Sequence, residues 1–409
     1  MQSLVYAVRR RSSNFAFLKH FSILSADNVE DVEVLKRCRS AKSFQFKDLV
    51  VTKAKPEQLL QKPKYGSHVR FGEVFSDYMA EVDWSAKSGW SKPIISPLHN
   101  LSMHPAAKVF HYAIEVFEGM KAYRGVDGKI RLFRPDRNME RLRSSAKRAA
   151  LPDFSGTELL NIIIKLVCMQ KDWVPHTLGY TLYIRPALIG TDGQLGVAIS
   201  HSAKLFVITG PSGPYFDSKV TLYADPDFTR SFSGGVGSYK AGCNYMPTIM
   251  ISTEAQSKNC QQVLWLYGAD EWITEVGATN IFFIWTNTEG EEELITPPLD
   301  DGLILPGITR DSVLELVKKW DTKIKVSERF VGMPEFRQAV KENRVHEAFC
   351  TGTACLISPV EKILYKNKRL NIIEELKMPK KSSTNCFTER ICKAITDIQV
   401  VQKFVLFLH

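Results

Sequence analysis

The sequence predicts an α+β protein built from two unequal parts, with the cleft between them as the expected functional site. The chain has 409 residues, more than one small core requires, and its 44% hydrophobic and 24% charged content is ordinary for a globular protein. Segments with helical periodicity occur together with short apolar strands in both parts. The densest turn cluster, Gly210-Pro211-Ser212-Gly213-Pro214, predicts a linker between them.

The smaller predicted domain covers residues 67–208. Apolar positions that repeat about every 3.6 residues predict its helices, and short apolar runs predict its strands. In chain order these segments are strand-like patches within 69–84, helices at 105–112, 135–151 and 157–172, and strands at 180–189 and 203–210.

The larger predicted domain covers residues 220–399 and follows a linker at 209–219. Many short apolar runs predict a domain rich in strands, with a few helices between them. The predicted strands are 220–224, 263–267, 280–285, 293–296 and 323–326, and the predicted helices are 309–320 and 333–342.

The two ends of the chain differ from its body in composition. Residues 1–26 combine arginines and serines with no Asp or Glu, which is typical of a mitochondrial transit peptide. A disordered basic N-terminus on a cytoplasmic protein is the alternative. Residues 27–66 are rich in Lys, Glu and Pro and are predicted to be an extended arm, and residues 400–409 are an atypical apolar tail.

Composition limits the classes of partner. The formal net charge is +10, but four of these charges lie in residues 1–26, and no basic run interleaved with aromatic residues follows. A basic nucleic-acid-binding or scaffold protein is the alternative from another class, and we predict no nucleic-acid partner. No apolar run approaches the roughly 20 residues of a membrane span, so we predict no membrane partner. Eight cysteines without paired ligand spacing predict free thiols and no metal site.

The glycine-rich segment 234–245 contains the candidate catalytic residue, Lys240. Glycine lets the backbone approach a ligand closely, and a partly desolvated lysine can form a Schiff base with a carbonyl group. Tyr245, five residues further on, can place a phenol beside a bound cofactor. A surface loop with a solvated lysine is the alternative, so the other motifs must decide.

A buried carboxylate is expected at Glu275, just before the very apolar strand 281–285. A buried glutamate is costly unless it is paired. The protonated pyridine nitrogen of pyridoxal 5′-phosphate (PLP) is a fitting partner, because an ionised carboxylate there keeps the ring an electron sink. A solvated carboxylate at a strand end is the alternative.

Further motifs predict anion ligands. The helix that begins in segment 305–310 and the loop 351–354 both offer groups that suit a phosphate, although either is also compatible with an ordinary helix start or turn. Arg134, before another helix, is a candidate bidentate phosphate ligand. Tyr183 and Arg185 are two residues apart on a strand, so they share one face and can bind a carboxylate. A structural salt bridge is the alternative for this pair.

Together these segments resemble the branched-chain amino-acid aminotransferases of PLP fold type IV, in the eukaryotic branch and, with this N-terminus, a mitochondrial form. The resemblance runs in order from about Phe71 to Gln399. D-amino acid aminotransferases and aminodeoxychorismate lyases are the alternatives within the fold type. The matching motifs are Phe117-Glu118-Gly119-Met120-Lys121-Ala122, Leu132-Phe133-Arg134-Pro135, Tyr183-Ile184-Arg185-Pro186, the Lys240 segment, Gln262-Val263-Leu264-Trp265-Leu266, Glu275-Val276-Gly277, Leu305-Pro306-Gly307 and Gly352-Thr353-Ala354-Cys355.

The resemblance implies a homodimeric enzyme that transfers amino groups between L-leucine, L-isoleucine or L-valine and 2-oxoglutarate by a ping-pong mechanism. It implies that Lys240 is catalytic and that Arg185 receives the distal carboxylate of the acidic substrate. The implied cofactor-binding residues are Lys240, Arg134, Tyr245, Glu275, Ile308, Thr309 and Thr353. The implied substrate-binding residues are Phe71, Tyr112 (from the partner subunit), Phe117, Tyr183, Arg185, Tyr215, Ala278 and Ala354.

The chain departs from the family pattern in three places. Ala278 stands where the family often has a threonine, and Thr279 follows it. Cys355-Leu356-Ile357-Ser358 lacks the second cysteine that mammalian mitochondrial forms carry, so that disulfide cannot form. Residues 400–409 replace the family's usual C-terminal sequence, which leaves the packing of this end open.

Overall fold

The computed structural model describes residues 30–64, 69–177, 179–214, 219–320, 323–379 and 386–400, and these form two large sheets with helices packed against them. The mixture of helices with mainly antiparallel strands confirms the predicted α+β class. The predicted transit peptide and residues 401–409 of the predicted tail lie outside the described residues. Within the described residues, no helix combines the length and apolar character needed to cross a membrane.

The first sheet is formed by the N-terminal half of the described chain. Its strand order is β1-β4-β2-β9-β8-β6-β7, with β3 paired to β2 and β5 paired to β8. The strands are β1 (Val50–Val51), β2 (Tyr78–Ser85), β3 (Gly89–Trp90), β4 (Ile94–Pro97), β5 (Glu115–Phe117), β6 (Met120–Arg124), β7 (Ile130–Leu132), β8 (Thr181–Gly190) and β9 (Ser202–Ser212). The helices are α1 (30–39), α2 (Lys108–Tyr112), α3 (Pro135–Arg148) and α4 (Gly156–Met169), with 3₁₀ turns at Phe46–Asp48, Pro56–Gln58 and Lys171–Trp173.

Helices α3 and α4 cover this sheet because each has one apolar face. In α4 the residues Leu159, Ile162, Ile163 and Leu166 recur with helical spacing and are fully buried. Ser155 caps this helix by accepting a hydrogen bond from the backbone N–H of the third helical residue. The packing fixes α3 against the sheet edge from which the functional residues below project.

The second sheet is formed by the C-terminal half. Its strand order is β12-β11-β10-β17-β16-β13-β14-β15, with β18 paired to β17 and an additional pairing of β12 with β13. The strands are β10 (Val220–Ala224), β11 (Gln262–Tyr267), β12 (Trp272–Val276), β13 (Thr279–Thr286), β14 (Glu292–Thr296), β15 (Lys325–Glu328), β16 (Val345–Gly352), β17 (Leu356–Asn367) and β18 (Ile372–Lys377). The helices are α5 (Thr248–Ser257), α6 (Ile308–Lys319), α7 (Met333–Lys341) and α8 (Phe387–Gln399), with a 3₁₀ turn at Gly242–Asn244.

Two local expectations were wrong. The segment predicted as an extended arm contains helix α1, whose Val34 and Cys38 lie one turn apart and are buried in the first core. The linker predicted from 209 begins inside strand β9, which continues to Ser212. Gly210 serves close packing there, since a side chain at this position would collide with the carbonyl of Val74. The domain boundaries themselves stay a prediction.

Candidate active site

A cavity of about 500 Å³ is lined by residues from both sheets and from the loops at their ends. The β5–β6 region and β8 contribute from the first sheet, and the Lys240 loop, the β12–β13 turn, the start of α6 and the β16–β17 turn contribute from the second half. Twelve of the predicted site residues line it together: Phe71, Phe117, Tyr183, Arg185, Lys240, Tyr245, Glu275, Ala278, Ile308, Thr309, Thr353 and Ala354.

Lys240 is held at the cavity by its backbone. Its carbonyl accepts a hydrogen bond from Phe117 N at 3.0 Å, and its N–H donates to Ser145 Oγ at 3.0 Å. Its amine, Nζ, lies 3.2 Å from the Tyr245 hydroxyl and 4.8 Å from the centre of the Phe117 ring. The lysine therefore presents its amine inside the cavity, between a phenol and an aromatic face.

Glu275 is a fully enclosed carboxylate at the end of β12, and it is 2% exposed. Burial raises its pKa to about 7, although the positive charge of Arg230, the N–H of Leu305 and the charge of Lys240 all lower it. Oε1 accepts from Asn280 at 3.1 Å, and Oε2 lies 2.7 Å from Arg230 Nη1 without a well-aligned hydrogen bond. This carboxylate is therefore only partly satisfied and suits a further cationic donor.

Another part of the cavity wall combines a helix N-terminus with small and hydroxyl residues. Ile308 and Thr309 are the first two residues of α6, whose N–H groups lack partners within the helix. Thr351 Oγ1 is buried and has no hydrogen-bond partner among the described residues. Gly307 packs so closely on Asn280 that a side chain could not fit. Such a group of donors at a helix start suits a phosphate.

Arg141 is a further cationic residue of the cavity wall, and it was not predicted from the sequence. It lies on α3 and forms two bonds to the Glu118 carboxylate, at 2.7 and 2.8 Å, while Nη1 donates to Pro306 O at 3.0 Å. Asn138 Nδ2 holds the same carboxylate at 2.8 Å. Burial opposes the charge of Arg141, but Glu118 more than compensates and its pKa is raised. The guanidinium is thus fixed in the wall just before α6.

Arg134 is not brought to the cavity, which corrects the expectation that it binds the phosphate. Its guanidinium donates to Ser312 Oγ at 2.9 Å and Glu315 Oε1 at 2.8 Å, and pairs with Asp311 at 2.9 Å. The reason is its position at the N-cap of α3. Arg141 is seven residues further along, roughly 10 Å along the helix axis, so it reaches the cavity while Arg134 braces α6.

Two other predicted residues are not seen at the site. Tyr112 does not line the cavity of this chain, and its hydroxyl bonds to the carbonyl of Leu195. Since the resemblance assigns Tyr112 to the partner subunit, a single chain does not test that role. Tyr215 lies outside the described residues.

Tyr183 and Arg185 form one wall of the cavity, as their spacing on β8 predicts. The Tyr183 ring meets Phe71 edge to face at 4.7 Å, and its hydroxyl accepts from Arg185 Nη2 at 3.1 Å. The guanidinium carbon of Arg185 lies 4.6 Å from the Phe117 ring centre, and its Nε is buried with no hydrogen-bond partner among the described residues. An aromatic wall with one incompletely satisfied arginine can accept both an apolar side chain and a carboxylate.

Sequence reasoning missed two residues of the site, Arg141 and Arg230. Arg141 had a readable signal, because Asn138, Arg141 and Ser145 share one face of a predicted helix at i, i+3 and i+7. Arg230 had none, since it lies in a loop far along the chain from Glu275. Thr351 lies within the predicted hydroxyl loop, but nothing in the sequence separates its role from that of Thr353.

The two departures from the family pattern inside the described residues have local consequences. Thr279 does not replace a hydroxyl at Ala278, because its Oγ1 donates to Val276 O at 2.6 Å. Ser358 lies on β17 with its hydroxyl 3.5 Å from the carbonyl of Cys355. Among the described residues, no group of three or more His, Cys, Asp or Glu side chains is arranged to hold a metal ion.

The cavity fits PLP in its donor set. The incompletely satisfied Glu275 carboxylate suits a protonated ring nitrogen, and the Tyr245 phenol stands beside the Lys240 amine. Arg141, the start of α6 and the buried Thr351 hydroxyl lie in the same cavity and suit the phosphate. Each polar part of the cofactor thus has a partner of the right charge.

Known proteins resemble this chain over most of its length. Residues 115–363 match the family model described as amino-transferase class IV. The chain is 51% identical over 381 residues to a cytosolic branched-chain-amino-acid aminotransferase from Caenorhabditis elegans, covering 92% of both chains. It is 48% identical over 340 residues to a mitochondrial one from Rattus norvegicus, covering 82% of this chain and 85% of that relative.

Solved structures share the fold at lower identity. The branched-chain amino acid aminotransferase from Thermobaculum terrenum, in its PLP form, superposes with a TM-score of 0.62 at 21% identity, over 81% of this chain and 96% of that one. Another solved branched-chain amino acid aminotransferase, complexed with N-(5′-phosphopyridoxyl)-L-glutamate, superposes with a TM-score of 0.59 at 22% identity, over 79% of this chain and 95% of that one.

The Glu118–Arg141 pair gives a prediction about cofactor affinity. Substituting Glu118→Gln leaves the shape of the side chain but removes the charge that fixes Arg141, and truncating a buried charge pair typically costs about 2–5 kcal/mol. We expect PLP to bind the cofactor-free variant at least about 10-fold more weakly, as measured by fluorescence titration. Glu140→Gln, on the exposed face of the same helix, is the matched control. Wild-type affinity in a folded Glu118→Gln protein would refute the role of this pair.

Proposed function

Because this chain belongs to the class IV aminotransferases and, within them, to the branched-chain-amino-acid aminotransferases, we propose that it transfers the amino group of L-leucine, L-isoleucine or L-valine to 2-oxoglutarate. The products are the branched-chain 2-oxo acids and L-glutamate. Its cofactor is PLP. The observation that carries the proposal is a single cavity that contains a lysine amine, a buried carboxylate and one arginine in an aromatic wall (Lys240, Glu275 and Arg185).

The chain's own groups divide the work around the cofactor. When bound, PLP supplies an aldehyde that condenses with amines and a ring that stores the electron pair of a broken Cα–H bond. Lys240 Nζ would hold the cofactor's aldehyde carbon and would move the proton at the substrate Cα. Glu275 would keep the ring nitrogen protonated, and Tyr245 would donate to the ring oxygen. Arg141 and the start of α6, rather than Arg134, would hold the phosphate.

The substrate wall supports the choice of amino acids. Phe71, Phe117 and Tyr183 offer apolar surface, and full burial of a leucine, isoleucine or valine side chain is worth about 1.5–3 kcal/mol. Arg185 is the cationic group of this wall, so it can receive the distal carboxylate of glutamate or 2-oxoglutarate. The phosphopyridoxyl-glutamate adduct bound by one of the solved relatives supports an acidic substrate in this family.

The single cavity supports a ping-pong order. The apolar substrate and the acidic substrate both need the wall around Arg185, so they occupy it in turn rather than together. In such an order the cofactor would carry the amino group from the first half-reaction to the second.

We also propose that the enzyme is a homodimer. Several of the most exposed large apolar side chains are close in sequence to residues of the candidate site, and a partner subunit that covers them would remove them from water. They are Phe110 beside Tyr112, Phe232 beside Arg230, Met246 beside Tyr245, and Ile249 and Met250 on α5. A partner covering these segments would bring its own Tyr112 to the cavity, as the resemblance implies.

For location, we propose delivery to the mitochondrion. The acid-free, Arg- and Ser-rich residues 1–26 support it, whereas the relatives include both cytosolic and mitochondrial forms.

The half-reactions test the proposed function directly. We expect L-leucine alone to convert the absorbance of the PLP form to that of the pyridoxamine form, and 2-oxoglutarate alone to restore it. Lys240→Ala should abolish both conversions while the folded protein still binds PLP, and Lys258→Ala, at the exposed end of α5, is the matched control. No conversion with L-leucine, or conversion with D-alanine only, would overturn the proposal.

Arg185→Met separates the two substrates within one variant. The leucine half-reaction should change much less, because the leucine side chain is apolar and forms no charge pair with Arg185. The 2-oxoglutarate half-reaction should slow by at least about 30-fold, since a buried charge pair is lost. The ratio of the two rates is the measurement, and it corrects for any loss of fold. An unchanged ratio would remove Arg185 from substrate binding.

Sedimentation velocity tests the dimer. The wild-type protein should sediment as a species with twice the 46.3 kDa mass of one chain. Ile249→Glu places a charge on the proposed interface and should shift the protein toward monomer, whereas Leu370→Glu, equally apolar and exposed on the β17–β18 hairpin, should not. A wild-type monomer at micromolar concentration would contradict the proposal.

Import of a reporter fused to residues 1–26 tests the location. We expect mitochondrial fluorescence, and loss of that pattern when the three consecutive arginines Arg9, Arg10 and Arg11 are replaced by glutamine. A reporter that stays in the cytosol would favour the alternative.

A further inference from the structure

A second cavity, of about 720 Å³, lies beside the active cavity and is the larger of the two. Strand β6, the start of β8, the β16–β17 turn and helix α8 contribute to its walls. Lys240 and Glu275 are not among its lining residues. Its volume falls within the roughly 300–1,000 Å³ typical of small-molecule sites.

The walls of this second cavity carry positive charge. Lys121 and Arg124 on β6 line it, and the exposed His176 and Lys219 stand at its edge. Among the lining residues that the structure describes, none is Asp or Glu. The cavity therefore attracts anions.

The two β6 cations have neutral partners. Lys121 is 8% exposed, and its Nζ donates to the carbonyl of Ala354 at 2.8 Å. Arg124 Nη2 donates to the backbone carbonyl of Lys171 at 2.7 Å and to that of Val174 at 3.1 Å. Burial lowers the pKa of Lys121 to about 8, although Cys355 partly opposes this, so its charge is costly as it stands. An anion in the cavity would offset that cost.

Thr181 provides an independent indication of a missing ligand. It lines the cavity at the start of β8 and is 5% exposed. Its hydroxyl is buried and has no hydrogen-bond partner among the described residues. Buried hydroxyls are nearly always paired, because an unpaired buried hydroxyl has lost its hydrogen bonds to water without gaining others. A polar ligand group would satisfy it.

Apolar side chains also line the wall of this cavity. Tyr123, Leu356 and Ile357 line the cavity from the two sheets, and Val400 lines it at the end of α8. Apolar surface with a few fixed polar groups is the usual composition of a small-molecule site. This wall suits an uncharged hydrocarbon body attached to the anionic group.

We propose that this second cavity binds a small carboxylate with an apolar body, and that the bound carboxylate acts on the active site. Lys121 and the Thr181 hydroxyl hold the carboxylate, and the positive charge of Arg124 adds electrostatic attraction. Leu356 and Ile357 contact the apolar part.

The coupling runs through the β16–β17 turn. Ala354 lines both cavities, and its carbonyl is the acceptor of the Lys121 amine. A carboxylate that draws on the same amine changes the bond that positions Ala354, whose neighbour Thr353 lines the active cavity. The ligand therefore alters the turnover rate without occupying the substrate wall.

The experiment uses the holoenzyme and 3-(4-fluorophenyl)propanoate as the probe, followed by ¹⁹F NMR. Glutamate and 2-oxoglutarate together, at saturating concentrations, occupy the active cavity without net reaction. This arm rests on the proposed function, whereas probe binding itself is measured independently of any activity. We expect the probe to stay bound in their presence and to change kcat for leucine without raising KM.

Three variants locate the probe. Thr181→Val removes only the unpaired hydroxyl, so it preserves the fold, and should weaken binding at least about 5-fold by the loss of one hydrogen bond to a charged group. Lys121→Met should weaken it at least about 10-fold. Lys129→Met, on the exposed β6–β7 turn, is the matched control and should not change it.

The same measurements can overturn the proposal. No binding at millimolar probe, displacement by glutamate and 2-oxoglutarate, or equal binding to Thr181→Val and wild type would each exclude the site. Binding that appears only after residues 401–409 are deleted would mean that the chain's own end occupies the cavity. Binding without a change in kcat would overturn the coupling through Ala354.

Discussion

The active cavity depends on the contacts that stabilise the buried carboxylate of Glu275. Burial raises the pKa of this carboxyl to about 7 even with Arg230 and the Leu305 N–H beside it, so these partners stabilise the ionised form only weakly. Its partners come from the loop after β10, from Asn280 on β13 and from the segment before α6. These three segments must therefore keep their relative positions, because the buried charge is stabilised only beside its partners. A cationic cofactor nitrogen completes the set, and this ties cofactor binding to the stability of the cavity.

Helix α3 connects the two halves through one polar face. Asn138 and Arg141 hold the Glu118 carboxylate beside β5, Arg141 also reaches Pro306 before α6, and Ser145 accepts from the Lys240 N–H. The neighbouring face of the same helix, with Met139, Leu142 and Ala146, is buried in the first core. One helix thus packs against the first sheet and also holds the backbone of Lys240 through Ser145. This explains why a core helix carries site residues.

The sequence was enough to predict about half of the helices and strands, among them α3, α4, α6, β8, β9 and β13, because apolar periodicity decides those elements. It was not enough for helix α1, for short strands such as β5, β6 and β7, or for the long strands β16 and β17. The sequence also identified Lys240, Glu275 and Tyr245 as candidates, and the structure brings all three to one cavity. It failed at Arg134, because a motif shows that an arginine is present but not toward which side of a helix start its guanidinium turns. It failed at Arg230 for a different reason. That residue meets Glu275 only through the fold, 45 positions along the chain.

Ala278 has no side-chain hydroxyl, but the neighbouring strand β16 carries one at the same cavity. Thr279 cannot take over, because its hydroxyl is used by the carbonyl of Val276 within the turn. Thr351 lies opposite Asn280 in the β13–β16 ladder, lines the same cavity and carries a buried hydroxyl with no partner among the described residues. The cavity wall therefore keeps an unused hydroxyl on β16 although residue 278 has none.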